Sequence, residues 1–277
     1  MTTLDSAYSV GDRTHERLQK VLAQWGVASR RQAEALIHAG RIAVNQCPAH
    51  VGQKVNPATD CITLDGVVIN PTQPQERLYL LLNKPAGVVS TCRDRHARRT
   101  VLDLLPDRLS RGTGLHPVGR LDSDSTGALI LTNDGALTYQ LTHPRHHIPK
   151  TYRVWVNGYP SDAVLEQWRQ GVRLGDRETL PADVTLIQQH TSQKTLLEIV
   201  LYEGRNRQIR RVAEQLGHPV LTLHRIAIGD IYLQSPGQPE LPSGQYRPLS
   251  NLEICFLNSQ IDLTSNMERE PGEECKL

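Results

Sequence analysis

The stretch HPVGRLDSDSTGALILTNDG, residues 116–135, sets a carboxylate, Asp122, in a polar run just ahead of the apolar segment 128–131. A short apolar run behind Gly, Asp and Ser reads as a core strand entered from a turn. Asp122 is then either a loop residue capping that turn or a carboxylate held at a strand mouth for chemistry. Taken alone, it reads as the turn residue.

Outward from this stretch the chain keeps the same grammar. LYLLL (78–82), KTYRVWVNG (150–158), ADVTLIQQ (182–189) and TLLEIVLYEG (195–204) carry strand patterns, and NKPAG (83–87) is a turn. SDAVLEQWRQG (161–171), capped by Ser161, and NRQIRRVAEQLG (206–217) read as helices, with Gly204 and Asn206 suiting the strand-to-helix turn. Strands outnumber helices and their spacing does not fit regular βαβ repeats. The expected fold is therefore α+β, with a mixed, mainly antiparallel sheet and flanking helices.

The N-terminal part differs. In ERLQKVLAQWGVASRRQAEALIHAGRIAVN (16–45), Leu18, Val21, Leu22 and Trp25 follow helical spacing and Gly26 ends the helix. Ser29 and Gln32 form a capping-box pattern for a second helix, whose stripe is Ala33, Leu36 and Ile37 and whose stop is Gly40. Short strands follow. Arg17, Lys20, Arg30, Arg31 and Arg41 lie on the polar side, either as ordinary solvated charge or as phosphate contacts.

Composition narrows the function classes. Apolar residues make up 38% of the 277 residues but aromatics only 4%, so aliphatic packing dominates. Five scattered cysteines without a CxxC pair argue against a zinc ribbon or disulfide framework and for a reducing compartment, expected to be the cytoplasm. The start MTTLDSAYSVGDRTHE has no secretory apolar region, and runs such as LYLLL are too short to cross a bilayer. The net charge of +2 hides an acidic end: residues 259–277 hold five acids against two bases. Elsewhere arginines cluster, in RDRHARR (93–99) and EGRNRQIRR (203–211), as a polyanion would reward.

Three pieces can act together. An Asp kept ionised in a partly buried place needs a cation, which arginine supplies without deprotonating. A tyrosine such as Tyr152 can stack on a base and keep its hydroxyl for hydrogen bonding. With an arginine-rich helix start, this suits a site that takes a flipped nucleobase. Each piece alone has a bland reading: a turn residue, a half-buried strand residue, a basic helix start.

Their order resembles a known family. NKPAGVVST, HPVGRLDSDSTGALILTNDG, HPRHHIPKTYRVWV and EGRNRQIRRVAEQLGHPVLTLHRIAIG stand together as in the RsuA/RluB-type ribosomal RNA pseudouridine synthases, and residues 15–72 resemble an S4 RNA-binding domain. The resemblance implies that Asp122, after Arg-Leu, is the nucleophile and that Tyr152, after Lys-Thr, is the active-site tyrosine. It implies that Arg210 pairs with Asp122, with Ile209 packing beside it. Arg120, Arg205 and Arg207 would contact RNA or support structure, as would Arg17, Arg30, Arg31 and Arg41 in the first domain. Lys84 and Pro85 would be structural.

The implied reaction turns uridine into pseudouridine with no cofactor and no metal, by a monomer acting on ribosomal RNA or an assembling ribosomal subunit, without a membrane. Large-subunit 23S RNA is favoured over small-subunit 16S RNA. The sequence departs from the family in VNQCP (44–48), where Gln46 replaces a turn glycine, and has Ser125 for Thr and Ala128 for Leu. The expected boundaries are a disordered 1–14, an S4 domain 15–72, a linker 73–77 around PTQPQE, a catalytic domain 78–257 and a disordered acidic tail 258–277. Three other readings compete: a non-catalytic ribosome-assembly factor, a metal-dependent phosphohydrolase using Asp122, Asp124 and Asp134, and a histidine metal cluster in HPRHH (143–147).

Overall fold

The computed structural model describes residues 15–69, 76–191 and 193–267, and the chain divides into an N-terminal unit and a larger second unit beginning at Arg77. The expected disordered start, and most of the expected linker, lie outside the described residues.

In the N-terminal unit, helix α1 (Leu18–Gln24) buries Leu18, Val21 and Leu22 completely. Trp25 closes it and Gly26 takes a left-handed φ of 70°. Helix α2 (Arg30–His38) begins with the reciprocal cap read from the sequence: Ser29 Oγ accepts from Gln32 N at 3.3 Å, and Gln32 Oε1 accepts from Ser29 N at 3.1 Å. Such a cap is worth about 1 kcal/mol. Ala33 and Ile37 are buried against α1, and Leu36 packs at the edge. Strands β1 (Ile42–Val44), β2 (Cys47–Pro48), β3 (Ile62–Leu64) and β4 (Val67–Val68) form an antiparallel sheet in the order β2-β1-β3-β4.

The β1–β2 turn does not need the expected glycine. Asn45 and Gln46 both adopt positive φ, 50° and 68°, as a tight two-residue hairpin of this hand requires. Asn45 compensates with its side chain, donating to Asp60 Oδ1 at 3.0 Å and accepting from Cys61 N at 2.9 Å.

The second unit is α+β. Its strands are β5 (Tyr79–Lys84), β6 (Thr126–Thr132), β7 (Lys150–Asn157), β8 (Asp183–His190), β9 (Lys194–Leu201), β10 (Val220–Ile228) and β11 (Tyr246–Pro248). They run in the order β8-β9-β7-β10-β6-β5-β11, with His116–Pro117 added on β6 and Ile231–Tyr232 on β10. Every pair in this sheet is antiparallel except β10 with β6, which meet only at His224↔Thr126 and Arg225↔Gly127.

That parallel contact positions the site. Gly127 has φ 110°, and a Cβ there would lie 2.2 Å from the Arg225 carbonyl oxygen. Only glycine lets the backbones of β6 and β10 approach this closely. Strand β6 is covered on both faces: Ala128 and Ile130 join one core cluster, Leu129 and Leu131 another. This explains the unbroken apolar run, since a strand buried on both sides needs no polar alternation.

Helices α3 (Gly135–Thr142), α4 (Asp162–Gln170), α5 (Gln208–Gln215) and α6 (Asn251–Met267) flank the sheet. Leu165 and Trp168 of α4 and Val212 and Ala213 of α5 pack over Tyr152, Val154 and Val156 of β7. Helix α6 corrects the expected boundary at residue 257, because residues 258–267 continue it; residues 268–277 lie outside the described residues. The cause was present in the sequence as SNLE: Ser250 Oγ accepts from Glu253 N at 3.3 Å while Ser250 N donates to Glu253 Oε2 at 2.7 Å. Leu257, 1% exposed, then anchors the helix in the core.

Candidate active site

Asp122 sits in the turn between His116–Pro117 and β6, and that turn is fastened from two sides. Ser90 Oγ accepts from Leu121 N at 3.1 Å and donates to Leu121 O at 2.9 Å, fixing the residue before the carboxylate. From below, Lys84 at the end of β5 is completely buried and its ammonium donates to Ser125 O at 2.8 Å and Pro85 O at 3.0 Å. Gly87 N donates to Ser123 O at 2.7 Å, and Ser125 N to Asp122 O at 3.1 Å. Burial pushes Lys84 down to about 8, opposed by the nearby charges of Asp124 and Asp122. Lys84 thus caps the carbonyls of the turn that carries Asp122.

The cation beside Asp122 is not the expected one. Arg207 Nη1 lies 3.4 Å from Asp122 Oδ2, and the same guanidinium grips Asp124 with Nη1 to Oδ1 at 3.2 Å and Nη2 to Oδ2 at 3.3 Å. Arg210 instead reaches Asp124 and Ser125: its Nη2 is 3.3 Å from Asp124 Oδ2 and donates to Asp124 O and Ser125 Oγ, both at 3.2 Å. The expected Arg210–Asp122 pair is absent among the described residues.

The backbone gives the reason. Arg207 is the residue before α5 and adopts left-handed φ 50°, where neither Gly204 nor Asn206 has positive φ. This conformation costs a non-glycine residue about 1 kcal/mol and turns the side chain back over the 122–125 turn. Gln208 holds the bend by accepting from Arg205 N at 3.2 Å and donating to Glu203 at 2.8 Å. Arg210, one helical turn further on, meets the flank of the turn instead.

Asp124 feels both arginines. Burial raises it, but the Arg207 hydrogen bonds and the charges of Arg210 and Arg207 hold it below the ordinary carboxylate range. Arg207 is raised in turn, chiefly by its hydrogen bond to Asp124. Of the other arginines, Arg205 is used structurally, pairing with Glu203 at 3.0 Å and donating to the carbonyls of Arg177 and Glu178. Arg120 is exposed at the cavity rim.

A cavity of about 430 Å³ opens beside Asp122, with Tyr152, Ile209 and Arg210 in its walls. Tyr152 is 9% exposed and paired in register with Arg225 of β10. Ile209 is buried and lies in the α5 core as well as in the cavity wall. Two cations that sequence reasoning passed over also line it, Lys150 and Arg225. Burial, with the charge of Arg225, pushes Lys150 down to about 8. Arg225 could have been noticed: in VLTLHRIAI it occupies the buried phase between Leu223 and Ala227.

In the N-terminal unit Arg17, Arg30, Arg31 and Arg41 are all exposed. Arg41 is engaged by Asp65, donating from Nε to Oδ1 at 2.9 Å, and Lys20 pairs with Glu16 at 2.6 Å. Arg17, Arg30 and Arg31 make no ion pair among the described residues.

Two competing readings lose their geometry. Asp134 caps α3, accepting from Ala136 N at 2.9 Å and Leu137 N at 3.2 Å, and does not join Asp122 and Asp124. In HPRHH, the rings of His143 and His146 pack on Tyr139, 5.0 and 6.2 Å between centroids. Among the described residues no group of three or more His, Cys, Asp or Glu is placed to hold a metal ion.

A carboxylate, an aromatic ring and several cations around one cavity define an enzyme site able to grip a planar ring and act on the atom beside it. Comparison with known proteins places that enzyme. The RNA pseudouridylate synthase profile matches residues 78–215, and the S4 domain profile residues 16–60. The chain is 38% identical over 253 residues to "Ribosomal large subunit pseudouridine synthase B" of Bacillus subtilis, covering 91% of this chain and 99% of the relative. It is 40% identical over 253 residues to a protein of the same name from Pseudomonas aeruginosa, covering 90% of this chain and 63% of the relative. A crystal structure of a pseudouridylate synthase superposes with TM-score 0.61 at 31% identity, covering 87% of this chain and 99% of that one. The chain belongs to the RNA pseudouridylate synthase family, isomerases that convert uridine in RNA to pseudouridine.

Proposed function

We propose that this synthase acts as a monomer on one uridine of large-subunit ribosomal RNA, in a cytoplasm, with Asp122 as nucleophile and without a cofactor. The names of the Bacillus and Pseudomonas relatives support the large subunit as substrate. No helix among the described residues is long and apolar enough to cross a membrane. The observation that carries the nucleophile is the fastening of Asp122: a guanidinium at 3.4 Å, a clamped neighbour in Leu121 and a capped turn, all at the mouth of the cavity holding Tyr152.

Arg207 orients Asp122, while Arg210 steadies the turn through Asp124 and Ser125. Asp122 acts on the ribose, by attack at C1′ or by taking the C2′ proton. The freed uracil turns and rejoins through C5, stacked on Tyr152, which takes the C5 proton in the closing step. The exposed Arg17, Arg30 and Arg31 contribute phosphate contacts.

Tritium release from 5-tritiated uridine in 23S and 16S transcripts tests both parts. The expected result is release from the 23S transcript alone, falling by on the order of 10⁴-fold in Asp122→Asn. Wild-type release by that variant would remove Asp122 from the mechanism, and release from 16S alone would reassign the substrate.

A further inference from the structure

We propose that Arg225 and Lys150 form a cationic wall that stabilises the uracil ring as an anion after the glycosidic bond breaks, an inference resting on the reaction proposed above.

Arg225 is 5% exposed, in the middle of a core strand. Its Nε donates to Ala128 O at 2.7 Å, but Nη2 is buried with no acceptor among the described residues. The guanidinium carbon lies 6.0 Å from the centroid of the Tyr152 ring, and both residues line the cavity. Lys150, two residues before Tyr152 on the same strand, lines it too, and its ammonium makes no hydrogen bond or ion pair among the described residues.

A protein gains nothing for its core by burying a guanidinium with an unused donor, whose desolvation goes uncompensated unless an acceptor arrives. The carboxylates of the site do not supply one, since Asp122 and Asp124 face Arg207 and Arg210. The cavity that Arg225 lines gives a ligand the room to supply it. Phosphate is the wrong candidate for this position, because Arg225 sits against the ring of Tyr152, where the base stacks, rather than at the rim.

The chemistry supplies the right one. When N1–C1′ breaks, both bonding electrons stay on N1, and the ring becomes an anion with its charge shared among N1, O2 and O4. In the same step C1′ gains a bond to an Asp122 oxygen, or a double bond to C2′ if Asp122 takes the C2′ proton. On return, C5 gives its electron pair to C1′. Either the C1′–O bond breaks and its pair goes back to the Asp122 carboxylate, or Asp122 gives its proton back to C2′ as the C1′=C2′ bond is undone. The C5 proton then leaves to water through the Tyr152 hydroxyl, which passes its own proton on, and N1 takes a proton from water. Arg225 and Lys150 exchange no proton. They are fixed donors aimed where negative charge develops, the arrangement in which preorganised dipoles and charges contribute most.

Arg225→Gln and Lys150→Gln test this in single-turnover reactions on RNA carrying uridine or 5-fluorouridine at the target, with consumption of the nucleoside read by digestion and mass spectrometry. Fluorine withdraws electron density and stabilises the ring anion by itself, so it should substitute for the cations. The expected result is a rate loss of about 10²–10³-fold on uridine for Arg225→Gln and about 10-fold for Lys150→Gln. RNA affinity should stay within about twofold, and each loss should shrink at least about tenfold or vanish on 5-fluorouridine. Equal losses on both substrates, or losses confined to RNA affinity, would overturn the proposal. Lys150→Gln, at a less buried position than Arg225, keeps the test valid if Arg225→Gln fails to fold. If wild-type enzyme consumes neither substrate, the proposed reaction fails instead; if it consumes both and the variants match it, only the cationic wall fails.

Discussion

Two sets of arginines do different work in this molecule. Around the cavity, Arg207, Arg210 and Arg225 have individual partners, and a displacement of an ångström would break each arrangement. In the N-terminal unit, Arg17, Arg30 and Arg31 are exposed, and the Arg41–Asp65 pair is half exposed on both sides, where an ion pair is worth little. The first set is held in place by geometry; for the second, the proposed phosphate contacts would act through charge density. Substitutions in the two should therefore differ in kind as well as in size.

The largest effect in the geometric set should follow loss of the cation beside Asp122. Arg207→Gln is expected to lower the single-turnover rate by about 10²–10³-fold, and Arg210→Gln by about 10-fold, both with little change in RNA affinity. The reverse ranking in a rate assay at saturating enzyme would return the pairing role to Arg210. Lys84 gives a smaller, pH-dependent effect. Its folded-state value of about 8 lies below its ordinary 10.5, so between these the unfolded chain binds more protons and Lys84's contribution to stability rises with pH. In denaturation at pH 8 and pH 10.5, the stability of wild type relative to Lys84→Met should increase by on the order of 1–3 kcal/mol. A constant difference would show that Lys84 does not titrate in this window.

The smallest effect per residue belongs to the exposed set. Replacing Arg17, Arg30 and Arg31 together with Gln should weaken RNA binding several-fold and flatten the dependence of log K on log salt by about 2–3 units. The rate at saturation should not change. A rate loss without a changed salt slope would mean these residues do something other than neutralise phosphate.

The same contrast explains what was legible in the sequence. Patterns set by backbone periodicity were readable: the α1 stripe, the Ser29–Gln32 cap, and the alternation of Tyr152, Val154 and Val156. So was the gathering of Asp122, Tyr152 and Arg210 around one cavity. Which arginine faces Asp122 was not, because it depends on one left-handed residue, Arg207, and sequence pointed to Gly204 and Asn206 for that turn. Arg225 was overlooked because its role appears only when β6 and β10 meet at Gly127, residues nearly a hundred positions apart. The helical 258–267 segment was misread from acidic composition, although the SNLE cap at 250–253 announced a helix.

The turn at 122–125 holds two carboxylates sharing one guanidinium, so the central claim reduces to which of them reacts. Single-turnover pseudouridine formation by Asp122→Asn and Asp124→Asn, compared at saturating enzyme on the same 23S transcript, answers that directly. Background conversion is expected for Asp122→Asn and a loss of no more than about 10²-fold for Asp124→Asn, whose carboxylate only holds the arginines. Conversion by Asp122→Asn together with an inactive Asp124→Asn would contradict the central claim.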